Sequence, residues 1–144
     1  MNNIWRTLDP NIVRNVTVPD YMFHAAKKHI IYKVKCEMCP INPDENAYTV
    51  VFWCRFRTFA KLHTDLKLYY EQLHRKEPFP QFPDKHLFPG KCTDDTLKNR
   101  RQYIETFLQF ICTKTYLLNS DRFINFIKSC SSDTIDEKSI EFKS

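Results

Sequence analysis

Arg55, Arg100 and Arg101 are the residues of this 144-residue chain whose sequence surroundings do not suit an ordinary surface cation. Arg55 closes an otherwise apolar run, YTVVFWCRF over residues 48–56, in which Val51 and Trp53 share its face by period two. Arg100 and Arg101 fall three and four positions after Leu97, on the helical stripe that Ile104, Phe107, Leu108 and Ile111 continue. At least one of the pair must therefore face inward. An inward guanidinium costs several kcal/mol unless it meets an anion, which leaves two readings open: an internal carboxylate, or the phosphate or hydroxyl of a ligand. Arg55, Lys85 and Arg100 lie on a strand end, a proline-rich loop and a helix that can converge on one pocket. Arginine forks suit phosphate bidentately, and lysine supplies a point charge.

Other chemistries lack their residues. Gly90 is the single glycine, so no glycine-rich phosphate cradle can be built and phosphate recognition must use side chains. Cys36 and Cys39 have CxxC spacing, but zinc needs two further ligands at a matching knuckle, and Cys92, Cys112 and Cys130 stand alone. Cys36 and Cys54 read instead as small core residues. The five histidines form no i,i+4 pair with a glutamate between, and no nucleophile assembles with a base. The chain is expected to be no enzyme and to need no cofactor or metal. A net charge of +5 favours an anionic partner without naming it. No apolar run approaches the ~18 residues of a membrane span, and the start, MNNIWRTLDP, has no secretory stretch, so the expected location is cytoplasmic with reduced thiols.

The elements that must position these cations follow from periodicity. Residues 12–18 have strand character, with Pro19-Asp20 as a closing turn. Tyr32, Val34, Cys36 and Met38 alternate with charged residues in a second strand; PINPDEN over residues 40–46 is a hairpin loop, and residues 48–56 are a third strand. Helical spacing begins near Phe59, with Thr58 as N-cap, and runs to about His74. PFPQFPDKHLFPG over residues 78–90 is an extended crossing loop. Thr93-Asp94-Asp95 caps a second long helix, and a last helix begins near Ser120. The expectation is an α+β fold: a three-stranded antiparallel meander against a helical subdomain of three to four helices. Residues 12–130 form the domain, with an N-terminal extension over 1–11 and a weakly ordered tail over 131–144.

Three segments carry a resemblance to a known family. Arg55-Phe56-Arg57-Thr58-Phe59 after a strand is similar to the Arg-Arg/Lys-Tyr-x-x-Phe signature of PX (phox homology) domains, followed by a Leu-His-x-x-Leu helix at Leu62 to Leu66. Pro80 to Lys85 resembles the Pro-x-x-Pro-x-Lys element, and Arg100 to Phe107 resembles the Arg-Arg-x-x-Leu-Glu-x-Phe helix. Phe56 departs from the usual tyrosine but keeps its aromatic face. The sorting-nexin type is resembled most.

The resemblance implies a phosphoinositide-binding module that recruits protein to membranes, with phosphatidylinositol 3-phosphate on endosomes as the expected target in trafficking and sorting. By residue it implies Arg55 on the 3-phosphate, Phe56 stacked on the inositol ring, Lys85 on the 1-phosphate and Arg100 on the 4- and 5-hydroxyls. Asp84 adds negative charge beside Lys85, so Lys91 is the alternative 1-phosphate partner, and Arg57 is a further phosphate candidate. Leu87 and Phe88, with Tyr21 and Phe23 as second choice, are the residues expected to enter the bilayer interface, while Lys27, Lys28, Lys85 and Lys91 attract anionic lipid. The alternative is a PX-fold protein-interaction scaffold with weak or no lipid binding, whose proline-rich loop serves protein partners. No nucleic acid is expected to bind.

Overall fold

The chain is described by a computed structural model over residues 3–83, 93–132 and 140–142. Three long strands, β1 (Ile12–His24), β2 (His29–Pro40) and β3 (Tyr48–Arg55), form an antiparallel meander; α1 (Phe56–Gln72), α2 (Asp94–Cys112), α3 (Thr115–Leu118) and α4 (Asp121–Ser132) follow. A short strand β4 (Ile140–Phe142) pairs with Met22 to His24, giving the sheet order β3-β2-β1-β4. The three-strand meander and the helical subdomain are as the alternation of Tyr32 to Met38 and the later helical periods require. Val34, Cys36, Met38 and Phe52 on one sheet face are buried against Phe59 and Leu66 of α1 and Ile104 and Phe107 of α2. Thr93 caps α2 by accepting the Thr96 N–H at 3.2 Å, with Asp94 and Asp95 in the first turn complementing the helix dipole.

Two local expectations are corrected. Pro19-Asp20 is not a turn: β1 continues to His24, and its register against β2 shifts between Thr17 (opposite Lys35) and Asp20 (opposite Lys33). Three steps on β1 thus face two on β2, a bulge with one extra residue, and a proline is tolerated there because it has no N–H to offer the ladder. Tyr21 and Phe23 therefore lie within β1, and the turn falls at residues 25–28. Nor is Thr58 the cap of α1. The strand passes directly into the helix, with Arg55 as N-cap at φ −79° and ψ 154°.

The bulge is completed by α2. Arg101 Nη1 donates to the Val18 carbonyl at 2.8 Å, the Val18 N–H donates to Glu105 Oε1 at 2.8 Å, and Gln109 Nε2 donates to the Val16 carbonyl at 3.2 Å. Positions 101, 105 and 109 are four apart and lie on one helix face. Side chains of α2 thus supply the hydrogen bonds that the irregular strand lacks.

Candidate functional site

Arg55 stands where β3 ends and α1 begins. It is half-buried, Arg57 is exposed, and the first turn of α1 holds no acidic residue and no side-chain cap. The N-terminus of a 17-residue helix carries partial positive charge and unpaired N–H groups, and here two arginines add to it. Ion pairs among the described residues join Arg6 to Asp9 at 2.6 Å, Arg6 to Glu45 at 3.6 Å, and Lys114 to Glu77; none takes Arg55. Such an arrangement attracts an anion.

Phe56 links Arg55 to α2. The Arg100 guanidinium lies over the Phe56 ring, 4.6 Å from its centroid, and Phe82 stacks on Phe56 at 5.4 Å with planes 11° apart. Phe82 also stacks on His63 at 4.6 Å, and His63 Nε2 donates to the Pro80 carbonyl at 2.7 Å. Burial pushes the pKa of His63 down, which keeps the ring neutral inside this aromatic layer. Phe79 packs on Tyr70 at 5.2 Å, and the Tyr70 hydroxyl donates to the Glu77 carbonyl at 2.6 Å. The start of the proline-rich loop is therefore seated in the groove between α1 and α2, ending beside Phe56. Of the predicted headgroup residues, Arg100 lies over the Phe56 ring, and Arg55 directly precedes Phe56 in the chain at the start of α1. Lys85 and Lys91, with Leu87 and Phe88, lie outside the described residues.

Comparison with known proteins bears on what this arrangement is. The family model described as PX domain matches residues 43–130. The chain belongs to the PX domain family. Mouse sorting nexin-15 is 32% identical over 124 residues, covering 85% of this chain and 36% of the relative. Human ribosomal protein S6 kinase delta-1 is 29% identical over 125 residues, covering 86% of this chain but 12% of the kinase, so its catalytic activity does not carry over. The chain thus spans about a third of the length of mouse sorting nexin-15 (36%). Among solved structures, the mouse SNX19 PX domain with bound sulphate ion superposes with a TM-score of 0.57 at 19% identity, covering 81% of this chain and 97% of that one. A designed CISK-PX domain gives 0.52 at 24% identity, covering 78% and 96%. These two structures establish the PX fold. Family and sorting-nexin relatives together support a phosphoinositide-binding module of membrane trafficking.

In this PX domain Arg100 and Arg101 point to different neighbours. Both are half-buried, but Arg101 is engaged with the bulge of β1, whereas Arg100 faces Phe56. Arg101 meets a backbone carbonyl where a carboxylate or a ligand was expected. Arg101→Ala should leave the Val18 carbonyl unmatched and cost about 1–3 kcal/mol of stability. Chemical denaturation checks this, and an unchanged midpoint would remove Arg101 from the fold's supports.

Of the second-choice membrane residues, Tyr21 is half-buried with its ring 5.9 Å from that of Tyr32, while Phe23 is exposed. Cys36 is buried in the PX core, and burial drives its thiol up to about 12. Among the described residues no helix is long and apolar enough to cross a membrane. Sequence reasoning missed the pairing of His24 with His29. Their five-residue separation signals a hairpin only once the turn is placed at 25–28.

Proposed function

We propose that this PX domain is a peripheral membrane-recruitment module that recognises phosphatidylinositol 3-phosphate on endosomal membranes, and that it is not an enzyme. Arg55 at the mouth of α1 carries the reading: a half-buried arginine with no carboxylate partner among the described residues, at a helix start without acidic residues. It takes the 3-phosphate, with Arg57 as an exposed auxiliary. Arg100, held over Phe56, reaches the 4- and 5-hydroxyls of the inositol ring, which disfavours headgroups phosphorylated there. Lys85, or Lys91, meets the 1-phosphate, following the family motif in the loop beyond Phe82. Leu87 and Phe88, with Tyr21 and the exposed Phe23 as second choice, enter the interface.

The scaffold reading draws less support. It needs the proline-rich segment to be free for a partner, yet Phe79 and Phe82 are packed between the helices and Pro80 is hydrogen-bonded to His63.

The test is co-sedimentation with vesicles of equal net charge carrying single phosphoinositides. Binding is expected to be at least about tenfold tighter to phosphatidylinositol 3-phosphate than to the 4-phosphate or 4,5-bisphosphate, a difference of about 1.4 kcal/mol. Equal binding to all would reduce the site to a general anion patch. No binding to any would return the scaffold reading.

A further inference from the structure

The end of the sheet that presents Arg55 also presents two imidazoles. Side chains alternate along strands, so His24 (two past Met22), His29 (two before Ile31) and Arg55 (two past Trp53) share the face of the small buried cluster Met22, Ile31 and Trp53. Ile31 is opposite Arg55 in the ladder, which puts His29 roughly 7 Å further along the same edge. His24 and His29 are themselves partners across β1 and β2, with rings stacked at 6.2 Å and 26°. His24 also holds the intervening turn. The Lys27 N–H donates to His24 Nδ1 at 3.0 Å. The Lys28 N–H closes the turn on the His24 carbonyl at 2.7 Å, with Lys28 at φ 55°. Lys27 and Lys28 stand exposed at its tip.

His29 is half-buried, and without a bound anion its surroundings oppose a charge on it. Burial acts first, then the field of Arg55, then His24 and Lys27, all pushing its pKa below the ordinary histidine value; the Lys27 backbone alone opposes them. Lys28 in the turn and the start of α1 are positive as well, and the acidic residue of β4, Glu141, stands opposite Phe23 in the ladder. A phosphate dianion held by Arg55 reverses the leading electrostatic contribution, because two negative charges then stand beside one positive.

We propose that His29 is a proton-linked member of the headgroup site, taking up a proton when a phosphomonoester binds at Arg55, so that affinity rises as pH falls from 7.5 to 5.5. The proposal rests on the phosphoinositide reading above. Its sign follows from linkage: a group that binds its proton more tightly in the complex than in the free protein strengthens binding at low pH and loses that contribution as pH rises. A ligand that makes His29 hold its proton about tenfold more tightly can gain at most about tenfold in affinity from it, so the expected gain is about three- to tenfold.

Calorimetric titration with soluble dibutanoyl phosphatidylinositol 3-phosphate tests this, using wild type and His29→Gln at pH 7.5 and 5.5 in two buffers of different ionisation enthalpy. Titration of the lipid's own phosphate is common to both proteins and cancels in their ratio. Wild type should gain about three- to tenfold more than His29→Gln on acidification and, in titrations added at pH 6.5, take up a fraction of a proton per ligand more than His29→Gln does. Identical pH ratios in the two folded proteins, or the same proton exchange on binding in both, would overturn the role of His29 alone. Absence of binding by wild type at both pH values would overturn the phosphoinositide reading with it.

Discussion

Arg55→Ala is expected to abolish recruitment to vesicles containing phosphatidylinositol 3-phosphate, with a loss of at least about a hundredfold, while the protein stays folded. The magnitude comes from what the side chain does. Truncating one partner of a desolvated, hydrogen-bonded charge pair costs about 2–5 kcal/mol, and a phosphate left facing only helix N–H groups and Arg57 keeps a minor share of the attraction. Arg55→Lys should recover part of the binding, because it restores a point charge without the fork. Stability should hardly move: Arg55 makes no ion pair among the described residues, and its cap position uses backbone geometry and no side-chain bond. The change in unfolding free energy is therefore expected within about 0.5 kcal/mol. Thermal unfolding and co-sedimentation of the same preparation separate the two roles. Lost binding together with a large drop in melting temperature would make Arg55 a structural arginine and leave the anion to another group.

Arg55 also marks the line between what is legible in the residues of this PX domain and what is hidden. The strands at Tyr32 to Met38 and Tyr48 to Arg55 are legible because one wet face imposes period two, and the start of α2 is legible because Thr93, Asp94 and Asp95 satisfy a helix terminus whatever surrounds it. That an arginine of α2 turns inward and needs a partner is legible for a related reason, since the helical period puts Arg100 and Arg101 on the stripe of Leu97 and Ile104. Which of two adjacent arginines faces that partner is not legible. Arg100 and Arg101 are about 100° apart on the helix, and the choice is made by the bulge of β1, eighty-three residues away in the chain from Arg101. The bulge is itself hidden, because Val18-Pro19-Asp20 reads locally as a turn and becomes a strand only when Arg101 and Glu105 bond the backbone of Val18. Long-range hydrogen bonds overrule turn chemistry at that point. The position of Arg55 as N-cap is hidden likewise, since a strand that passes without a loop into a helix has no Ser, Thr, Asp or Asn to announce it.

Trp5 is the extreme case of a residue without a local signal, and its truncation is expected to have the largest effect on stability. It lies in a segment with neither helical nor strand period, yet its side chain is 0% exposed, in edge contact with Phe123 at 5.6 Å and tilted against Phe52 at 6.0 Å. Arg14 of β1 holds the segment in place: Nε donates to the Trp5 carbonyl at 2.9 Å, and Nη2 donates to the carbonyls of Arg6 and, at 3.1 Å, of Asp9. With its backbone pinned this way, the segment cannot easily collapse into a cavity, so Trp5→Ala should cost about 3–5 kcal/mol. Trp5→Phe should cost less, about 1–2 kcal/mol, because the indole N–H is buried with no hydrogen-bond partner among the described residues and its removal relieves that penalty. Binding follows a different course. Arg14 is opposite Met38 and Arg55 is opposite Ile31, so the Trp5 anchor and the headgroup site sit at opposite ends of the β2 ladder. Below its unfolding transition Trp5→Ala should therefore bind vesicles within about twofold of wild type, since sites this far apart are usually independent. Denaturation and co-sedimentation, both run well below the unfolding transition, measure the two quantities separately; a parallel loss of affinity in the folded variant would mean that the N-terminal segment and the start of α1 move as one unit.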